Sequence, residues 1–422
     1  MILPYRVFGI LIAIFLVIIL IRPVASHFLA SERKDLNEKD LNRALAITCE
    51  EARYPYLLGL IAYRTGEQQA VEKAVDRYRN SLTKNIVNGQ VWIALARAYS
   101  DLGKGDYAEY SFKKAAYVGK GDKNIQWEAG VFLLNENKVQ DAIVYFRQYI
   151  HLMPADQASV YSLFYTIGVG HEYILKSLVL ENYSSYLEYL KFLMANGLVQ
   201  ESEQVWKKMA SWNRSRVDYL TYIDFLINSE NVESAYALWG DYTEVFGLVD
   251  SGHSSYNLIW NGGFELPVQD GGFDWRIGKV AGVRVFIDTD MKKIGHASLS
   301  AQFDGKANPD VYIAQQIVLV EPDESYLLKG RILTDALTTT NGIILEASSY
   351  RCDAFVQKSE PVTGTTLWKD VDLEFKTPAN CKAMRVGIKR EKSEKFDNRI
   401  SGDVWVDLIT LTPERKRVTS TP

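Results

Sequence analysis

Residues 92–115 read WIALARAYSDLGKGDYAEYSFKKA, and the spacing of their apolar positions decides the fold of the first half of the chain. Trp92, Leu95, Ala96, Tyr99, Ala108, Phe112 and Ala115 fall at offsets 0, 3, 4, 7, 16, 20 and 23. Residues three and four apart share one helix face, so this spacing predicts two short antiparallel helices that interlock through large and small side chains. Thirty-four residues further on, Ala129, Gly130, Leu133, Ala142, Phe146 and Tyr149 repeat the offsets, and Pro154 closes the unit. One such hairpin cannot bury its apolar face alone. The pattern therefore predicts a stack of hairpins, an α-solenoid with a concave groove.

Other copies flank these two. Leu58, Gly59, Ala62, Val71, Val75 and Tyr78 form an earlier, looser one. Tyr186, Tyr189, Leu190, Leu193, Ser202, Trp206 and Met209 keep the offsets, as do Tyr219, Tyr222, Ile223, Leu226, Ala235, Trp239 and Tyr242 after them. The segment from Ala155 to Ser185 is helical in composition without the motif and reads as a degenerate repeat. The pattern resembles the tetratricopeptide repeat, and that resemblance implies a surface that grips other proteins. Residues 31–250 are assigned to this solenoid. Its groove residues belong on the first helix of each hairpin, between the packing positions, which selects Arg97, Asn124, Glu128, Tyr161 and Tyr165.

The texture changes at Ser251-Gly252-His253-Ser254-Ser255. Beyond it, eight short β-rich runs alternate with Gly, Asn, Asp and Pro turns, from Val283–Ile287 to Val404–Leu411, which predicts a β-sandwich over residues 255–414. The opening Asn257-Leu258-Ile259-Trp260-Asn261-Gly262-Gly263-Phe264-Glu265 and the closing Trp405-Val406-Asp407-Leu408-Ile409 resemble carbohydrate-binding modules of the galactose-binding-like jelly-roll type. The resemblance implies glycan binding and a structural calcium held by Glu265, Asp407 and the carbonyl of Gly263. Carboxylate and carbonyl oxygens are the ligands that calcium takes. The alternative is a turn-capping Glu265 and an Asp407 that accepts neighbouring N–H groups. Sugar recognition needs aromatic faces flanked by polar groups. Candidates are Trp275, Tyr312, Tyr350 and Trp368, with Gln316, Arg331, Glu346 and Arg390 beside them. Alternation along their strands turns Arg331 and Glu346 out of the core.

At 422 residues with 47% hydrophobic and 24% charged content, the chain is long enough for two or three folded domains. Its net charge of −4 carries no basic excess to attract nucleic acid. The N-terminus differs: Val7 to Ile21 is an unbroken apolar run, with Arg6 before it and Arg22-Pro23 after it. Fifteen residues fall short of the about 20 needed for a full span, and apolar flanks extend them. A single-pass signal anchor over residues 1–30 is expected, in the inner membrane, with the bulk of the chain periplasmic. A cleaved signal peptide is the rival, opposed by the proline in Pro23-Val24-Ala25. Residues 415–422 read as a flexible polar tail.

Cys352 and Cys381, near strand ends of an exported β-domain, are a candidate disulfide; two buried free thiols are the alternative. No phosphate-binding glycine loop, His-Glu-x-x-His or nucleophile elbow occurs, and the five histidines stand apart. The expected function is a non-enzymatic envelope scaffold, with the solenoid on a protein partner and the jelly roll on a glycan, accessory to polysaccharide synthesis or export. A pure protein adaptor whose jelly roll is structural is the alternative. A glycan-active hydrolase is a third, and it requires two carboxylates converging in a cleft.

Overall fold

The structure, a computed structural model, describes residues 38–414 apart from Asp397. The expected anchor over residues 1–30 and the tail over 415–422 lie outside the described residues. Among the described residues no helix is long and apolar enough to cross a membrane. Among the described residues thirteen α-helices come first and ten strands follow, so a helical-repeat part precedes a β-sandwich. By compactness the chain divides into a unit ending at Asn196 and one beginning at Gly197.

The first unit opens with α1 (Glu38–Ile47). Three hairpins follow: α2–α3 (Arg53–Tyr63, Gln68–Lys84), α4–α5 (Gly89–Asp101, Gly105–Val118) and α6–α7 (Lys123–Asn135, Val139–Leu152). Helices α8 (Gln157–Thr166), α9 (His171–Ser177) and α10 (Tyr183–Ala195) complete it. Side-chain oxygens of Asn88 and Asp122 cap α4 and α6 by accepting N–H bonds from the first turn. Within α6–α7 a Cβ on Gly130 would stand 2.6 Å from the Phe146 ring, so the small residue of the motif is a steric requirement. Each hairpin turn has one left-handed residue at the same place in the repeat: Gly66, Gly103, Asn137, Gly197 and Glu230, with φ between 58° and 71°. The degenerate segment keeps that place too, with Gly168 at φ 82°. Its first helix is therefore in register with the others although its motif is lost.

The second unit holds α11 (Val199–Lys208), α12 (Arg216–Asn228), α13 (Val232–Val245) and the sandwich. The strands are β1 (Arg276–Ile277), β2 (Val283–Asp288), β3 (Ser298–Asp304), β4 (Val311–Leu319), β5 (Ser325–Leu337), β6 (Ile343–Ser349), β7 (Val356–Lys358), β8 (Gly364–Lys376), β9 (Ala383–Arg390) and β10 (Ser401–Pro413). They form two five-stranded antiparallel sheets, ordered β1-β4-β9-β6-β7 and β2-β3-β10-β5-β8, the arrangement of a jelly roll. β1 and β7 were not among the expected runs, because two- and three-residue edge strands have no periodicity to read. Ile259, Phe264, Trp275, Leu328, Ile332, Leu345, Val386, Ile388 and Val406 fill the core between the sheets.

Helices α12 and α13 pack directly on this sandwich. Trp239 of α13 meets Trp260 edge-on at 5.5 Å and lies so close to Gly272 that a Cβ there would come within 2.6 Å of its ring. Asp224 of α12 accepts from the Gly272 N–H at 2.8 Å and from Arg276 Nη2 at 2.6 Å. Lys382 and Glu233 form an ion pair at 2.5 Å.

Cys352 and Cys381 form a disulfide with their Cα atoms 5.2 Å apart, and Cys49 is free and exposed. The bond closes a loop across a sequence separation of 29 residues. Loop-closure entropy for that length is worth about 3–4 kcal/mol. Replacing both cysteines by alanine is predicted to lower the free energy of sandwich unfolding, measured by urea titration, by that amount, while an unchanged unfolding free energy would show that the crosslink contributes nothing.

Candidate functional site

The outer face of the β1-β4-β9-β6-β7 sheet gathers a cluster of aromatic and charged groups. Along β9, Met384, Val386 and Ile388 point into the core, which sends Arg385, Gly387 and Lys389 outward. A register shift in β4 between Tyr312 and Ala314 places Tyr312 opposite Lys389. Gly387 makes room for the Tyr312 ring, since a Cβ there would stand 2.5 Å from it. The Tyr312 hydroxyl donates to Glu346 Oε1, and Lys389 Nζ bonds Glu346 Oε2 at 3.0 Å. Burial opposes the Lys389 charge, but the bond to Glu346 wins and its pKa is raised above the ordinary lysine value. Glu391 links Lys389 at 3.6 Å to Lys358 at 2.6 Å. The Arg385 guanidinium lies over two rings, 5.6 Å from the centre of Tyr312 and 5.7 Å from that of Tyr350.

Helix α12 borders this face. The Tyr350 hydroxyl donates to Asn228 Oδ1 at 2.8 Å. Between helix and sheet lies a cavity of about 170 Å³, lined among others by Asp224, Asn228, Arg276, Gln315, Tyr350 and Arg385.

Of the eight expected sugar-binding residues, the structure brings Tyr312, Glu346 and Tyr350 together here. Three others are interior. Trp275 is fully buried and donates to the Asn261 carbonyl at 3.0 Å, because its indole fills the core beside Phe264. Gln316 is fully buried and clamps the Trp260 backbone, accepting from its N–H at 3.0 Å and donating to its carbonyl at 2.8 Å. Arg390 is fully buried and donates to the Pro309 and Asn398 carbonyls. Arg331 and Trp368 belong to the other sheet, where Arg331 pairs with Asp370 at 2.8 Å. Arg385 and Lys389 were missed although β9 alternates cleanly. The expected residue, Arg390, sits on the inward parity of that strand.

Glu265 and Asp407 converge beside Gly263, whose Cβ would stand 3.5 Å from Glu265 Cγ and 3.8 Å from Asp407 Oδ1. Glu265 accepts the His296 N–H on both oxygens at 2.9 Å. Asp407 accepts from the N–H groups of Lys293 at 2.8 Å and Ile294 at 3.1 Å. Burial pushes the Asp407 carboxyl up, the backbone bonds pull against it, and the like charge of Glu265 adds to the rise. Two hard-oxygen acids converging from two segments suit calcium in donor type. Among the described residues no third acid, histidine or cysteine joins them, so carbonyl oxygens would complete the set.

In the first unit, Arg97 of α4 and Glu128 of α6 form a two-pronged ion pair at 2.6 and 2.8 Å. They line a recess of about 300 Å³ with Tyr63, Asp101, Trp127 and Asn135. Tyr63 donates to Asp101 at 2.5 Å, and burial with that bond pushes its hydroxyl up to about 12. Asn124 is exposed at the start of α6. Tyr165 is 45% exposed on α8. Tyr161 is no groove residue. It stands at the position that Ala96 and Gly130 hold in other copies, and is fully buried with its ring against Tyr189.

No family model matches the chain, and no curated protein matches it. Similar solved structures include MamA at 19% identity, covering 28% of this chain and 63% of that one, with a TM-score of 0.25. The chain thus spans less than two thirds of that relative's length. The Yersinia enterocolitica type III secretion translocator chaperone SycD is similar at 16% identity over 27% of this chain and 82% of its own, with a TM-score of 0.23. A family 16 carbohydrate-binding module matches at 20% identity over 37% of this chain and 99% of its own, with a TM-score of 0.26.

Gly387 is the sharpest test of the site's geometry. Gly387→Ala is predicted to drive the Tyr312 ring off the sheet and to cost about 1–3 kcal/mol of sandwich stability through overpacking. Thermal melts together with the NMR shifts of the Tyr312 ring would check it, and an unmoved ring with wild-type stability would refute the packing.

Proposed function

We propose that this chain is a non-enzymatic, membrane-anchored scaffold of the bacterial envelope whose jelly roll binds a glycan and whose helical repeats bind partner proteins. The observation that carries this reading is the Tyr312 ring on the outer sheet face, ringed by Glu346, Lys389 and Arg385. An aromatic plane among donors and acceptors is what a sugar's apolar face and hydroxyls require. The groove pair Arg97–Glu128 and exposed Asn124 and Tyr165 serve the protein partner. The apolar run Val7–Ile21 supplies the anchor, the bulk of the chain is periplasmic, and the scaffold is an accessory to polysaccharide synthesis or export.

A glycan array probed with the full chain tests the reading. Binding is expected, and Tyr312→Ala should weaken it by roughly tenfold, about 1.4 kcal/mol. One observation favours the rival adaptor reading: α12 is tied to the same face through Tyr350 and Arg276. Silence across the array would favour that rival.

Glu265, Asp407 and the Gly263 carbonyl hold a structural calcium in this reading. Calcium at a hundredfold excess over its dissociation constant stabilises a native state by about 2.7 kcal/mol. Adding calcium to the chelator-treated chain should therefore raise the melting temperature by several degrees, and Asp407→Asn should abolish the rise. No rise in the unaltered chain would remove calcium from the account.

A further inference from the structure

Beside the cavity between α12 and the sheet, the fold leaves buried donors without acceptors. Arg276 commits Nη2 to Asp224 and to the Gly272 carbonyl, yet its Nη1 is buried and meets no acceptor among the described residues. Arg385 Nε is likewise buried and unmatched, and no carboxylate of the described residues pairs with this guanidinium. Ser348, opposite Arg385 in the β6–β9 register, also has a buried hydroxyl with no partner. A guanidinium only donates, so what these groups call for is an acceptor. Each buried donor left unmatched costs about 1–3 kcal/mol.

Charge narrows the class of acceptor. Two guanidinium groups face the cavity against one carboxylate, Asp224, which is already paired with Arg276 at 2.6 Å and bonded to the Gly272 N–H. The surplus is one positive charge. The planar fork of arginine matches the paired oxygens of carboxylate, sulfate or phosphate. At about 170 Å³ the cavity suits a single such group rather than a whole saccharide. Arg385 also lies 5.6 Å from the centre of the Tyr312 ring, so a sugar stacked on that ring carries its substituents toward it.

We propose that the cavity beside α12 is an anion site, with Arg276 and Arg385 receiving a carboxylate, sulfate or phosphate borne by the glycan stacked on Tyr312. This rests on the glycan reading and adds its substrate class: acidic polysaccharide. The specificity arises because α12 borders the sheet face at this cavity.

The test titrates the full chain with uronate-containing oligosaccharides, with their carboxyl-reduced counterparts, and with free glucuronate and sulfate. Acidic oligosaccharides are expected to bind about tenfold or more tighter than the reduced ones, as for a charge-assisted forked contact. Arg385→Gln should erase that preference, bringing the ratio of the two affinities to about one with the far-UV circular dichroism unchanged, and Arg385→Lys should restore part of it. Equal affinity for both series overturns the anion site and leaves the glycan reading standing. Saturation by free sulfate or glucuronate with no gain from an oligosaccharide supports the anion site and overturns the glycan reading. No response to any of them overturns both.

Discussion

The last helical hairpin has an apolar side that must be covered, and in this chain the sandwich covers it. Trp239, a packing residue of the last repeat, turns its indole onto Trp260 and the backbone of Gly272. The contact needs a residue with no side chain at a φ of 59° in the loop that meets it. Asp224 anchors the same loop from the neighbouring helix through the Gly272 N–H and Arg276. The final hairpin and the jelly roll thus share one apolar and ionic junction, and helices α11 to α13 belong to the compact unit of the sandwich.

That junction decides what the sheet face can be. A jelly-roll sheet alone offers an open plane to solvent. With α12 against it, the plane has a border, a cavity and two arginines whose unmatched N–H groups point to an acceptor. The opposite part of the face is self-satisfied: Glu346 is only 2% exposed and is bonded by both Tyr312 and Lys389. Breaking one member of such a buried pair strands the other charge, so these residues hold the Tyr312 ring in place.

Legibility in the sequence followed the strength of local periodicity. The hairpins could be read because large and small residues recur at fixed offsets. Gly130 against Phe146 shows why the small positions are required. Tyr161 misled because its copy had lost the motif, although the left-handed Gly168 still marks its register. On the strands, parity separated Glu346 from the core. An aromatic residue in a loop, Trp275, had no parity to place it and proved interior. Gln316 and Arg390 lie on strands, but burial of a polar side chain depends on acceptors and donors far away in the chain. The Trp260 backbone clamped by Gln316 is an example.

By itself the sequence determined the order of parts, the hairpin repeat, the strand-rich half and the two carboxylates at its ends, because each is written in spacing or in short motifs. Only the tertiary structure decided which face of the sandwich carries the aromatic cluster and which helix borders it. It also decided which arginines lack acceptors. Those outcomes depend on contacts between residues more than a hundred positions apart, such as Tyr350 with Asn228, and no local pattern records them.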